Sequence, residues 1–272
     1  MDEALKLDRS PDILHLSARI AFGMWQYDRA GRDLAAALQL APADARIRAT
    51  HAGLRAFLGD TDAALTEFNA VLREDPGQLY ARKQRAQILL STGDISAAVD
   101  DIDVVLTLDE ADINSRLLRA QVRMTLGQYR TAVDDLTMAL EREPRRLDLL
   151  TARAQAYDLA GDDAKALDDY TAVLGAPGGK PLYAIAGDLL GRYLMRRALI
   201  FVRTKQFDAA ATYMTKAAEP GGTPSVLRLE VYLRQHGYPD IALDGRASDA
   251  LVNAIRACFR LDACLQGLAE HS

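Results

Sequence analysis

The chain has 272 residues, 49% of them hydrophobic and 26% charged, the balance of a folded protein and not of a disordered one. Its net charge of −5 argues against a general nucleic-acid binder. No window approaches the ~18 uncharged apolar residues of a membrane span, and two cysteines are too few for a disulfide-stapled miniprotein. The charge is uneven, with 22 basic and 30 acidic side chains in residues 1–190 but 11 and 8 in residues 191–272. Abundant Ala and Leu favour helix, because both lose little entropy on entering one.

The first residues, Met1 to Pro11, are charged and lack the apolar stretch of a secretory leader. Glu3 to Asp8 reads either as a short frayed helix or as the last turn of a repeat. On the second reading the chain begins mid-unit, after a leader absent from this sequence.

A repeat then takes over. Gly59, Gly93, Gly127 and Gly161 are each 34 residues apart. Five residues beyond each stands an alanine (Ala64, Ala98, Ala132, Ala166), and nine beyond stands a larger residue (Phe68, Ile102, Leu136, Tyr170). Pro76 and Pro144 close the first and third of these units. One period earlier lie Ala30, Leu34 and Pro42, with Trp25 in the glycine position. A looser copy has Ala198, Phe201, Phe207, Ala210, Met214 and Ala217. Each unit reads as two helices. Glycine ends the first by adopting the left-handed conformation at low cost. The small Ala lets the helices approach, the bulky residue fills the gap between them, and proline stops the second. One such pair cannot bury its apolar stripe alone, whereas a stack can.

These residues resemble the tetratricopeptide repeat family. Units are placed at 11–44, 45–78, 79–112, 113–146, 147–180 and 191–224, with a turn-rich break at 175–181 and an apolar run from Leu182 to Leu190 that lengthens the first helix of the sixth. The resemblance implies an all-α fold, a right-handed superhelical solenoid of antiparallel helix pairs over residues 1–224. It also implies a concave groove lined by the first helix of each unit.

Three units carry the triplets Arg85-Ala86-Gln87, Arg119-Ala120-Gln121 and Arg153-Ala154-Gln155, matched by Asp100-Asp101, Asp134-Asp135 and Asp168-Asp169 in the second helix. The arginines and aspartates are expected to pair and hold helices in register, at roughly 0.2–1 kcal/mol for an exposed pair. In the family's geometry Gln87, Gln121 and Gln155 face the groove, where amides could bond the backbone of an extended peptide. The plain alternative is that they are solvated helix formers. Arg46, Thr50, Tyr80, Lys83, Gln84, Asn114, Leu117, Thr151 and Asp158 are further candidates for the groove, and Lys83 could meet an acidic ligand group. Some family members clamp a terminal carboxylate with Lys, Asn and Arg. The two corresponding positions here read His15/Arg19, Ala49/Gly53, Lys83/Gln87, Leu117/Gln121 and Thr151/Gln155, so that clamp is not expected.

Residues 225–272 break the pattern. Thr223-Pro224 starts a helix, Gly237 ends it, Asp244-Gly245 makes a turn, and a further helix runs through Ala254-Ile255. The order Leu229, Leu233, Gly237, Tyr238, Asp244, Gly245, Ala254, Ile255, Arg256 resembles the small peptidoglycan-binding domain. That resemblance implies wall binding through Tyr238, Asp244, Gly245 and Arg256. Ser248 and Leu251 depart from it, where the family has glycine and threonine. The alternative is a helical cap of the kind a solenoid needs at its end. Cys258 and Cys264 would be about 9 Å apart in one helix, too far for a disulfide, but a break between them would bring them within reach. A disulfide would fit the periplasm; two reduced thiols would fit the cytoplasm.

His15, His51, His236 and His271 are scattered, no phosphate loop or dinucleotide fingerprint is present, and no carboxylate pair stands out. Neither metal, cofactor nor catalysis is expected. The leading expectation is a non-enzymatic scaffold holding a partner protein or peptide in its groove, wall-associated in a bacterial envelope. A cytoplasmic adaptor or assembly chaperone with a helical cap, and a peptidoglycan-binding module on a repeat spacer, are the alternatives.

Overall fold

The computed structural model describes residues 10–174, 187–218, 224–235, 237–244 and 248–258. Among them are fourteen helices: α1 (Pro11–Gly23), α2 (Tyr27–Leu40), α3 (Ala45–Phe57), α4 (Thr61–Glu74), α5 (Leu79–Thr92), α6 (Ile95–Leu108), α7 (Ile113–Thr125), α8 (Tyr129–Arg142), α9 (Leu147–Ala160), α10 (Asp163–Leu174), α11 (Gly187–Arg203), α12 (Phe207–Ala218), α13 (Pro224–Gln235) and α14 (Asp249–Cys258). The described residues contain no strand. The chain forms two compact units, residues 1–122 and 123–272.

The turn inside each repeat explains the 34-residue glycine. Gly59, Gly93, Gly127 and Gly161 all have positive φ, from 74° to 94°. The N–H of the following residue returns to a carbonyl five residues back: Asp60 to Arg55, Asp94 to Leu89, Gln128 to Arg123 and Asp162 to Tyr157. This closure satisfies carbonyls that the helix end leaves open. The same bond joins Gln26 to Ala21 and Gln206 to Phe201, so Trp25 and Lys205 take the left-handed conformation too, at φ 63° and 59°. The turn geometry therefore persists in the first and sixth repeats without glycine. The helix starts are fixed as locally. Ser10, Asp44, Gln78, Asp94 and Asp112 each accept a bond from a backbone N–H in the first turn that follows.

Every alanine and every bulky residue of the ladder is buried, from Ala30 and Leu34 through Ala210 and Met214. In unit 1 the core falls into successive clusters. One centres on Leu14, Leu34 and Ile47, the next on Phe68, Val71 and Ala81, the third on Ala86, Ile102 and Leu106. Each is made by neighbouring helices, as expected of stacked repeats.

The arginine–aspartate ladder is not the exposed one expected. The second aspartate of each pair is buried: Asp101, Asp135 and Asp169. Arg85 grips Asp101 with two bonds of 2.7 Å, and Arg82 adds a third of 2.8 Å. Arg153 grips Asp169 with two bonds of 2.8 Å. Each arginine also reaches the second helix of the preceding repeat, at Asn69 for Arg85 and Thr137 for Arg153. Arg119 reaches back in the same way to Asp103, and Arg123 donates to Asp135. In unit 2, Arg203 on α11 pairs with buried Asp158 on α9. Asp158 is therefore an internal anchor, not a groove residue.

At the C-terminal end, Gly237 (φ 100°) closes α13 with a Tyr238 N–H to Leu233 carbonyl bond. Ser248 caps α14 through its hydroxyl. Leu251, Ala254, Ile255 and Cys258 form the buried face of α14, which packs against α12 and α13. Those roles account for Ser248 and Leu251 at the two positions where the peptidoglycan-binding pattern fails. Cys258 is buried and disulfide-bonded; Cys264 lies outside the described residues. Among the described residues no helix is long and apolar enough to cross a membrane, and no group of three His, Cys, Asp or Glu could hold a metal ion.

Candidate functional site

Unit 1 contains a cavity of about 520 Å³ on the face shared by α1, α3 and the start of α5. Ala18, Phe22, Ala30, Leu34 and Leu54 give it an apolar lining, and His15, Arg19, Arg46, Thr50, Gln78 and Tyr80 give it polar groups. The spacing explains the convergence. His15, Ala18, Arg19 and Phe22 lie at i, i+3, i+4 and i+7 on α1, and Arg46, Thr50 and Leu54 at four-residue steps on α3, so each set shares one helix face.

Tyr80 enters because residue 53 has no side chain. A Cβ at Gly53 would stand 2.4 Å from the Tyr80 hydroxyl, so the phenol lies directly on the α3 backbone. Burial raises the Tyr80 pKa, and nearby Arg19 opposes that shift. His15 Nε2 lies 2.8 Å from Thr50 Oγ1, whose own proton can go to the Arg46 carbonyl at 2.9 Å. With the Thr50 proton on that carbonyl, His15 donates through Nε2; in the other tautomer the hydroxyl donates to Nε2 instead. Burial lowers the His15 pKa, Arg19 and Arg46 lower it further, and Asp44 and Asp12 oppose them.

The cations differ in how they are held. Arg46 lines the cavity but is held by Asp44 at 2.8 Å and Asp12 at 2.9 Å. The hydrogen bond from Arg46 draws the Asp44 pKa down, against a smaller opposing effect of burial. Lys83 does not await an acidic ligand group. Its ammonium lies 2.6 Å from Asp112 Oδ2. Burial alone would raise the Asp112 pKa, but Lys83 and the Ser115 N–H hold it below the ordinary value. Arg19 has no ion pair among the described residues.

Of the other expected groove residues, Gln84 continues the Tyr80 stripe half-buried and Gln87 is exposed. Asn114 and Gln121 are exposed on α7, while Leu117 between them is half-buried. Thr151 is a correction. It is buried, and its hydroxyl is engaged by the Leu147 and Asp148 carbonyls of its own helix. Gln155 is half-buried in unit 2. At the C-terminal end Tyr238 is half-buried, Asp244 and Arg256 are exposed, and Gly245 lies outside the described residues. Sequence reasoning missed Leu54 and Gln78 as lining of one cavity, and Gly53 as the place where Tyr80 meets the α3 backbone. A lone glycine inside a helix was the available signal, since it commonly marks a close approach.

Residues 51–113 and 117–181 match the tetratricopeptide repeat family model. No curated protein matches the chain in sequence. Among solved structures, a tetratricopeptide repeat protein from Parabacteroides merdae is 15% identical, with 93% of this chain and 100% of that one covered at a TM-score of 0.62. PilW, a type IV pilus biogenesis factor, is 16% identical over 90% of this chain and 98% of its own, with a TM-score of 0.61. YrrB, a repeat protein with an unusual peptide-binding site, is 16% identical over 69% of this chain and 91% of its own, with a TM-score of 0.59. The peptidoglycan-binding resemblance finds no support in these comparisons. Family match, turn geometry and buried alanine ladder agree over residues 51–181: that stretch has the helix pairs of the tetratricopeptide repeat.

Proposed function

We propose that the chain is a non-enzymatic scaffold that holds an extended segment of a partner protein against the inner helices of its first repeats. One observation carries this reading: the unit 1 cavity joins an apolar lining to polar groups, of which the Arg19 guanidinium and the Tyr80 hydroxyl have no partner among the described residues, and the stripe of Tyr80, Gln84 and Gln87 extends along α5 from it. Such a mixture suits a peptide, whose side chains need apolar pockets and whose backbone needs donors and acceptors. The same fold carries a peptide-binding site in YrrB.

Selection of a displayed random-peptide library on the immobilised chain tests the reading. Enriched peptides should bind Tyr80→Ala and Gln87→Ala at least several-fold more weakly, with helical content unchanged. Equal binding to both variants, or no enrichment, would remove the groove from consideration.

We assign repeats to residues 1–224 and a cap to residues 225–272. The buried face of α14 and its packing on α12 support the cap. The disulfide at Cys258 favours an oxidising compartment such as the periplasm. Under a cap, full-length protein should not sediment with isolated peptidoglycan. Sedimentation would restore the wall-binding reading.

A further inference from the structure

Three features of the unit 1 cavity are left unexplained by a generic peptide groove. Arg19 lines it without an ion pair among the described residues, while its neighbour Arg46 is neutralised by two aspartates. The Tyr80 hydroxyl lies on the Gly53 backbone and makes no hydrogen bond within the described residues. His15 Nε2 is anchored 2.8 Å from Thr50 Oγ1, which can accept from the imidazolium while its own proton goes to the Arg46 carbonyl.

We infer that this cavity takes the carboxylate of a glutamate side chain within an extended peptide, held by Arg19 and the Tyr80 hydroxyl, and that binding draws a proton onto His15. The inference rests on the peptide-groove reading and specifies its ligand. Charge complementarity selects the anion, since among the described residues one guanidinium lacks a counter-ion and one phenol lacks an acceptor. A single unpaired cation suits a monoanion better than a phosphate dianion. The apolar lining of Leu34, Leu54 and Phe22 suits the methylene stem of glutamate. The stripe of Tyr80, Gln84 and Gln87 runs past the cavity along α5, which suits a chain that passes through more than one that ends there.

The proton follows from what faces the imidazole. Arg19 comes from its own helix and Arg46 from α3; Asp12 and Asp44 oppose them, and Tyr80 arrives from α5. In the empty cavity burial and the two arginines disfavour the imidazolium. A carboxylate seated among these groups reverses that balance. An opposite charge at close range raises a histidine pKa by about one unit or more, and one unit is tenfold in equilibrium. Between about pH 8 and about pH 5.5, affinity should therefore rise roughly three- to tenfold.

The test uses the full chain and two end-blocked peptides, Ac-Ser-Gly-Leu-Glu-Leu-Gly-Ser-amide and its Glu→Gln counterpart. Calorimetry in buffers of different ionisation enthalpy reads proton uptake directly. The inference expects the Glu peptide to bind more tightly than the Gln peptide, with the preference lost in Arg19→Gln. It expects proton uptake and the pH dependence to vanish in His15→Gln while binding persists. Equal affinity for the two peptides, or no binding of either, would overturn the glutamate assignment. Preferential binding without proton uptake in the wild-type chain would overturn the role of His15. Both failures leave the peptide-groove reading to the library selection, which presents every side-chain chemistry.

Discussion

Asp101→Ala should destabilise the first repeats far more than its sequence neighbour Asp100→Ala. Asp101 is 1% exposed and accepts three bonds, two from Arg85 and one from Arg82. Removing it leaves two guanidiniums facing each other across a vacated buried site. Breaking one side of a buried pair costs about 3–5 kcal/mol, because the remaining charge stays desolvated. Some relief is available: Arg85 keeps Asn69 and Arg82 keeps the Pro76 carbonyl, so the lower end, about 3 kcal/mol, is expected. Asp100 is exposed, and its removal should change stability by no more than about 0.5 kcal/mol. A stack of repeats need not unfold in one step, so a single melting curve would dilute the effect. Hydrogen exchange of α5 and α6, read beside urea unfolding by circular dichroism, locates it. If the two alanine variants protect α5 and α6 equally, within about 0.5 kcal/mol, the buried pair is not what fixes this register.

Lys205→Gly should stabilise unit 2 by roughly 0.5–1 kcal/mol, because Lys205 occupies the left-handed conformation at φ 59° in the place where four other repeats use glycine; a lower denaturation midpoint would refute this. His15 and His51 are both held below their ordinary pKa of 6.5, first by burial and then by nearby arginines. The unfolded chain then binds more protons than the folded one, so their contribution to stability is complete above about pH 6.5 and is lost as pH falls from there through their lower folded-state pKa values. Urea midpoints between about pH 8 and about pH 5 should drop, and His15→Gln should flatten part of the drop. A midpoint that rises on acidification over that range would contradict the assignment.

What could be read from the sequence was whatever recurs. A left-handed turn needs glycine, and a close helix crossing needs alanine, so Gly59 to Gly161 and Ala64 to Ala166 announced the helix pairs from spacing alone. Identity within a repeated pair was harder. Asp100 and Asp101 look alike in sequence, yet one is solvated and the other is the hub of a buried ion pair, because adjacent helix residues point about 100° apart. Partnering across repeats was hidden for the same reason. Lys83 read as an available cation until Asp112, 29 residues away, was found 2.6 Å from it. Thr151 sat at a groove position but buried its hydroxyl in its own helix. The seat of Tyr80 escaped because it depends on an absent atom, the Cβ of residue 53.

Gly53 and Tyr80 form a matched pair whose members are not free to change independently. Glycine weakens a helix interior, and by itself a change to alanine at this position would be favoured by about 1 kcal/mol. The Tyr80 hydroxyl blocks that route, since the new methyl would fall 2.4 Å from it. A single step at either site therefore loses something: Gly53→Ala displaces the phenol, and Tyr80→Ala leaves a helix-weakening glycine with no ring packed on it. Together the two changes should cost less than their sum. The tyrosine, once lodged, thus offsets the gain in helix stability that alanine would otherwise bring at residue 53.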